Sequence, residues 1–277
     1  MSVSWMAEEA RKFYEYLKMM GRSGETAYHC AWYVHNFIKW LGRDVRSVTR
    51  EDLFKYIEYL SSVKKYSGKT IRNISYALSQ FLSFLGMDSL AKWVPRPAAR
   101  AEEVEWLDEE TVSRVIDSDP VLVVAYELAL RLSELLMLRR DEYDRDSGVI
   151  AVYRLKHKGK PNRYVLKLSD RARRLLNMYI DTHACPDNRV FCMSRRAVQA
   201  RFKRALKRAG LDPGKYTFHV LRHSRCTNLV IRLLKERGYV DVVVLSKFMG
   251  HLDPSTTMSY IHIASRYLGI EKPIELL

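Results

Sequence analysis

Two prolines two residues apart, Pro95 and Pro97, constrain this chain more than any other local feature. Neither can continue a helix, because each lacks an amide donor and pushes the residue before it into an extended conformation. The stretch Trp93-Val94-Pro95-Arg96-Pro97-Ala98-Ala99-Arg100-Ala101 therefore reads as a linker. The apolar stripes on its two sides cannot merge into one helical array. Two bodies are expected, residues 1–94 and residues 106–277, joined by residues 95–105.

Ahead of the break, apolar residues recur at helical spacing. Ala10, Phe13, Tyr14 and Leu17 make one stripe, and Ala27, Tyr33, Val34, Phe37 and Leu41 make the next. Thr49 with Asp52 has the form of a capping box, which opens a third helix through Leu53, Ile57 and Leu60. A fourth helix should follow Ser67 and bury Ile71, Ile74, Leu78, Phe81 and Leu85. Gly21, Gly42, Gly68 and Gly86 punctuate these stripes, so the expected fold is a four-helix bundle with its aromatics in the core.

Charge decides the class of partner. The chain carries 47 Lys and Arg against 32 Asp and Glu, a formal charge of +15, which calls for a polyanion. No long uncharged apolar run and no signal peptide is present, so nucleic acid is a better reading than a membrane surface, and a cytoplasmic location is expected. The four cysteines, Cys30, Cys185, Cys192 and Cys226, lack the paired spacing of a zinc site or a disulfide framework. They are expected as reduced thiols, with no metal and no cofactor.

Beyond the break the pattern is mainly α with a small β-sheet. Asp108 is placed to cap a helix through Val112 and Val115, and Asp119-Pro120 opens a second, expected to run on through Val124, Leu128, Leu132 and Leu135. That helix would carry Arg131 among apolar neighbours. A buried arginine is costly unless it meets an anion, and Glu134, three residues on, is the ordinary partner. Gly148 to Leu155 and Arg163 to Leu168 read as strands joined by Lys156-His157-Lys158-Gly159-Lys160-Pro161-Asn162. A helix after Ser169 leads to the densest positive element, which carries Arg195, Arg196, Arg201, Lys203, Arg204, Lys207 and Arg208 and ends at Gly210. Together with Lys64, Lys65, Lys69 and Arg72 of the first domain and Arg96 of the linker, these are the candidate phosphate contacts. A solvated basic surface is the alternative for each.

The stretch from Tyr216 to Tyr260 concentrates the chemistry. His219 and Arg222, three apart, share one helix face, and an arginine fork matches two phosphate oxygens. A helix later come Gly250-His251 and a short Pro254-initiated helix carrying Tyr260. A tyrosine hydroxyl is protonated near neutrality and needs neighbours to activate it as a nucleophile. Cations around a phosphate would do so and would stabilise charge growing on the phosphoryl oxygens. Tyr267 lacks a preceding Gly-His and is expected to pack; His223 and His262 are expected to be structural or at the surface.

His219-x-x-Arg222, Gly250-His251 and Tyr260, with the upstream Ala129-Leu130-Arg131-Leu132-Ser133-Glu134-Leu135, resemble the motifs of the tyrosine recombinases, the phage-integrase type of site-specific recombinase. The order and spacing match across most of the second half. The resemblance implies a helical core-binding domain at 1–94 and an α+β catalytic domain at 106–277, closing on a duplex. It makes Arg131 and Arg222 the clamp on the scissile phosphate, Glu134 the support of Arg131, and His219 and His251 the rest of the pocket. It makes Tyr260 the nucleophile of a 3′-phosphotyrosyl intermediate, formed without ATP or metal. It also places a catalytic lysine on the hairpin, where Lys158 fits best and Lys156 and Lys160 are alternatives. One departure stands out: the family often has Thr-Gly before Leu-Arg, where this chain has Ala129.

The leading expectation is a strand-exchange enzyme acting as a homotetramer on two DNA sites. A type IB topoisomerase-like nicking and closing enzyme, or a DNA-binding regulator without catalysis, are the competing classes. The apolar tail from Ile261 to Leu277 would fold on its own domain or dock on a neighbouring protomer. The two-domain length, with no arm-binding segment ahead of the bundle, points to a Xer-like enzyme or a minimal mobile-element integrase.

Overall fold

Side-chain caps set several of the helix starts in this chain. The Thr49 and Asp52 side chains satisfy each other's backbone amides and open a helix at Arg50, while Ser23 and Ser67 accept from the amides of Thr26 and Thr70. The computed structural model describes residues 2–98, 104–154, 162–250 and 254–270. The chain divides into two units, Met1–Glu102 and Glu103–Leu277.

In the first unit, α1 (Glu8–Met19), α2 (Gly24–Leu41), α3 (Arg50–Ser62) and α4 (Gly68–Phe84) surround a core built on Phe13, Phe37, Leu53, Ile74 and Phe81, all 2% exposed or less. A one-turn helix, α5 (Asp88–Ala91), closes it against α4. The rings of Phe13 and Phe81 meet edge to face at 5.3 Å, so these aromatics are core.

The second unit contains α6 (Glu109–Ile116), α7 (Pro120–Glu127), α8 (Leu132–Leu135), β1 (Val149–Arg154), β2 (Asn162–Lys167), α9 (Asp170–Thr182), α10 (Arg195–Arg208), α11 (Val220–Arg237), α12 (Val242–Met249) and α13 (Pro254–Tyr267). Helix α7 is the centre, with Val121 to Tyr126 all buried. β1 and β2 pair antiparallel, from Val149 with Lys167 to Arg154 with Asn162. Helix α10 buries Val198, Phe202, Ala205 and Leu206 and exposes Arg195, Arg196 and Arg204. Among the described residues no helix is long and apolar enough to cross a membrane.

Asp119 fixes the start of α7 by accepting from the amides of Val121 and Leu122 at 3.0 and 3.2 Å, and it also pairs with Arg201 Nε at 2.5 Å. Asp119→Ala is expected to lower the unfolding free energy by about 1–2 kcal/mol, the usual worth of an N-cap. Urea unfolding would show this as a lower midpoint at unchanged slope.

Two expectations need correction. Cys185 and Cys192 form a disulfide across the loop between α9 and α10, where the chain turns back and brings their Cα atoms to 5.7 Å. Only Cys30 and Cys226 are free, and both are buried. The helix begun at Pro120 also does not continue through Leu135; it stops at Glu127 and a separate turn begins at Leu132.

Candidate active site

The break after α7 builds the floor of the site. Leu128 caps α7, Ala129 takes a left-handed conformation with φ of 50°, and the amides of Ala129 and Leu130 bond back to the carbonyls of Tyr126 and Ala125 at 3.0 and 2.9 Å. This is a Schellman turn with alanine in the place glycine ordinarily takes. It explains why a glycine suits the corresponding position of the motif. The turn leaves Ala129 O as an acceptor for Arg222 Nη1 at 2.6 Å and Arg154 Nη1 at 3.4 Å.

Glu134 sits beneath, 1% exposed. Its Oε2 accepts from the Arg131 amide at 2.9 Å and from Arg154 Nη1 at 2.6 Å, and its Oε1 accepts from Arg131 Nη1 at 2.7 Å. Arg222 Nη1 lies 3.7 Å from the same Oε2. The outer nitrogens of the buried pair go to backbone: Arg154 Nη2 donates to Leu128 O and Phe248 O at 3.1 and 2.9 Å, and Arg222 Nη2 donates to Met249 O, while Arg154 Nε meets no acceptor among the described residues. In this cluster three guanidinium groups meet one carboxylate. Burial pulls Arg222 down to about 9, with Arg131 and Arg154 adding to the effect. An anion entering beside Arg131, whose side chain is 19% exposed, would relieve this excess.

The opposite wall comes from α11 and α13. His219 precedes α11, and its ring stands edge-on to His223 at 4.5 Å between centroids. Burial lowers both, His219 to about 3 with His223 and Arg222 contributing, and His223 to about 4 with Arg222 contributing, so both are neutral at physiological pH. Tyr260 is 2% exposed and packs with Cys226, Met249 and Ala264. Its hydroxyl lies 2.7 Å from His223 Nδ1. Burial raises the phenol, Cys226 adds to this, and Arg222 and Arg131 oppose it. The resting nucleophile candidate is therefore protonated.

Gly250 joins the two walls. It ends α12 with φ of 61°, and a Cβ there would stand 2.8 Å from Arg154 Cγ. Ser246 and Thr257, hydrogen-bonded at 2.8 Å and buried, hold α12 against α13. His251, Lys156, Lys158 and Lys160 lie outside the described residues.

Arg131, Glu134, Arg222, His219 and Tyr260 are thus brought into one place. Two further members escape a reading of the sequence. Arg154 occupies the inward position that alternation assigns after Ile150 and Val152, and a charged residue on that face was the signal. His223, expected to be structural or at the surface, is half-buried: four residues after His219, it shares that helix face and meets Tyr260. Tyr267 packs edge-on to Trp106 at 5.2 Å and His262 is exposed, as expected.

The candidate phosphate contacts are scattered. Lys64, Lys65 and Lys69 are exposed. Arg72 donates to Pro97 O through Nε at 3.3 Å and Nη2 at 2.9 Å, and Arg96 donates to Ser79 Oγ at 3.2 Å. Arg201 is engaged by Asp119, so on α10 the exposed Arg195, Arg196 and Arg204 are the better placed.

Comparison with known proteins agrees with this geometry. Residues 101–266 match the phage integrase family and residues 10–88 its N-terminal SAM-like domain. The chain belongs to the phage integrase family, the tyrosine recombinases, and is a site-specific DNA recombinase by class. It is 28% identical to tyrosine recombinase XerA of Thermococcus kodakarensis over 94% of this chain and 93% of that protein. It is likewise 28% identical to tyrosine recombinase XerA of Saccharolobus solfataricus, over 83% and 79%. The fold is shared with the Tn1549 transposon integrase in complex with transposon right end DNA, at 18% identity over 94% and 98% of the two chains with a TM-score of 0.70. It is shared also with the XerH site-specific recombinase bound to its palindromic difH substrate, at 16% identity over 87% and 76% with a TM-score of 0.66.

Proposed function

We propose that Tyr260 cleaves DNA by attacking a phosphodiester held by Arg131 and Arg222, in a Xer-like recombinase working as a homotetramer on two duplex sites in the cytoplasm. The observation that carries this is the buried cluster of three arginines on one carboxylate beside a buried tyrosine. A phosphodiester supplies the missing negative charge, and the guanidinium forks match its non-bridging oxygens. As the Tyr260 oxygen bonds to phosphorus, the bond to the 5′ oxygen breaks and charge grows on oxygens facing fixed cations. The product is a 3′-phosphotyrosyl link and a free 5′ hydroxyl. A 5′ hydroxyl from a second duplex reverses the step and exchanges the strands, so the phosphoester is conserved and no ATP is consumed.

His219 and His251 complete the pocket, and Lys158 is the lysine best placed in sequence to protonate the departing 5′ oxygen. The helical unit from residue 1 to 94 and the exposed arginines of α10 hold the duplex. Family membership together with the similarity to XerA recombinases over most of the chain favours the Xer-like role.

Nicked suicide duplexes with a randomised central segment test this reading. The wild type, without ATP or added metal, should form a protein–DNA band stable in denaturing gels, and Tyr260→Phe should form none. Duplexes recovered from that band should then recombine pairwise. Failure of the wild type to form the band, or persistence of the band in Tyr260→Phe, overturns the assignment. Relaxation of supercoiled DNA with no exchanged product overturns the recombinase role.

A further inference from the structure

The geometry points to His223 as the proton acceptor for Tyr260 in strand cleavage. This rests on Tyr260 being the nucleophile. The two residues are brought together by helix packing, His223 on the first turn of α11 and Tyr260 in the middle of α13, and their polar atoms are 2.7 Å apart. In the tautomer that carries its hydrogen on Nε2, Nδ1 accepts from the hydroxyl, and this is the form able to take the phenol proton. Among the described residues, the groups that face the ring are Tyr260, His219 and Arg222; the cation beside it helps keep it neutral and hence able to accept.

Proton transfer before attack would be uphill, because the phenol is raised and the imidazole is lowered by the same burial. Bond formation reverses the order. As the phenol oxygen shares an electron pair with phosphorus, its proton becomes strongly acidic, and Nδ1 is within hydrogen-bond reach to take it. The O–H bond breaks, the N–H and O–P bonds form, and the bond to the 5′ oxygen breaks with its electron pair. The proton stays inside the pocket, so this transfer leaves the pocket's net charge unchanged. In the rejoining step the phenolate oxygen leaves phosphorus and recovers the same proton from Nδ1.

This assigns to His223 a task distinct from that of the phosphate-binding groups. His223→Ala removes both orientation and proton acceptance. His223→Gln keeps a hydrogen-bonding side chain near the phenol but cannot take its proton at neutral pH.

The test uses a duplex selected by the wild type from the randomised nicked pool, and it follows single-turnover formation of the covalent band together with DNA binding by gel shift. Both variants are expected to bind DNA as the wild type does and to cleave about 100-fold more slowly, the lower end of what a positioned base contributes. The rate with His223→Gln should rise about tenfold per pH unit above neutrality as hydroxide replaces the imidazole, while the wild-type rate stays flat. Wild-type rates in His223→Gln, with no pH dependence, would overturn proton acceptance and leave only orientation. Wild-type rates in His223→Ala would overturn both roles. In each case Tyr260→Phe remains inactive, which separates failure of this assignment from failure of Tyr260 as the nucleophile; a band in Tyr260→Phe removes both.

Discussion

Glu134→Ala is expected to lower the unfolding free energy by about 3–5 kcal/mol, the cost of breaking a buried ion pair by removing one partner. The side chains of Arg154 and Arg222 are 2% and 1% exposed, and Glu134 is the carboxylate they share. Without it, two guanidinium groups remain buried against backbone carbonyls alone. Glu134→Gln should lose less, since its oxygen still accepts from one arginine while its amide faces the others. A urea titration of each variant measures the loss, and added sulfate should restore more stability to Glu134→Ala than to the wild type, because an anion can enter the vacated place. A loss under about 1 kcal/mol would mean that solvent already reaches these arginines.

The same residue sets a pH dependence. Burial acts to raise the Glu134 carboxyl, but Arg154 and the Arg131 amide and guanidinium outweigh it, and the folded value lies below the ordinary one. A depressed carboxylate contributes stability above its unfolded pKa of about 4.3, and that contribution is lost as pH falls through the folded value. The gap between wild type and Glu134→Ala should therefore be full at neutral pH and should close in acid.

What could be read from the sequence was what is decided locally. Asp108, Asp119 and Ser169 announce helix starts because a cap is a hydrogen bond spanning two or three residues. The paired strands follow from alternation and lie within a residue or so of where it put them. The motif residues Arg131, His219, Arg222 and Tyr260 were likewise legible as a set.

Features stabilised from a distance were not. Nothing local stops the helix at Ala129: alanine disfavours positive φ, and the turn is held by its Schellman bonds, by burial, and by two arginines that arrive from β1 and α11. Arg154 is ordinary at the end of a strand until Glu134, twenty residues earlier, is placed under it. His223 acquires a role only when α13 packs on α11, and Cys185 meets Cys192 only through the course of its loop.

Gly250→Ala should be the most damaging of the small substitutions, and a second helix end supplies its control. Gly238 ends α11 with φ of 78° and a Cβ there would meet nothing within 4 Å, whereas at Gly250 the added carbon would lie 2.8, 2.9 and 3.2 Å from Cγ, Cδ and Nε of Arg154. Both alanines incur the backbone cost of the left-handed region, about 1–2 kcal/mol. Only at Gly250 is overpacking added, another ~1–3 kcal/mol, because Arg154 cannot swing away while its ends are bonded to Glu134, Leu128 O and Phe248 O. If Arg154 does shift, it loosens Glu134 and through it Arg131 and Arg222, so cleavage should fall in Gly250→Ala and be preserved in Gly238→Ala. Equal losses of stability at the two positions would show that the arginine yields freely. In that case the contact between Gly250 and Arg154 would not be what keeps the phosphate-binding groups in place.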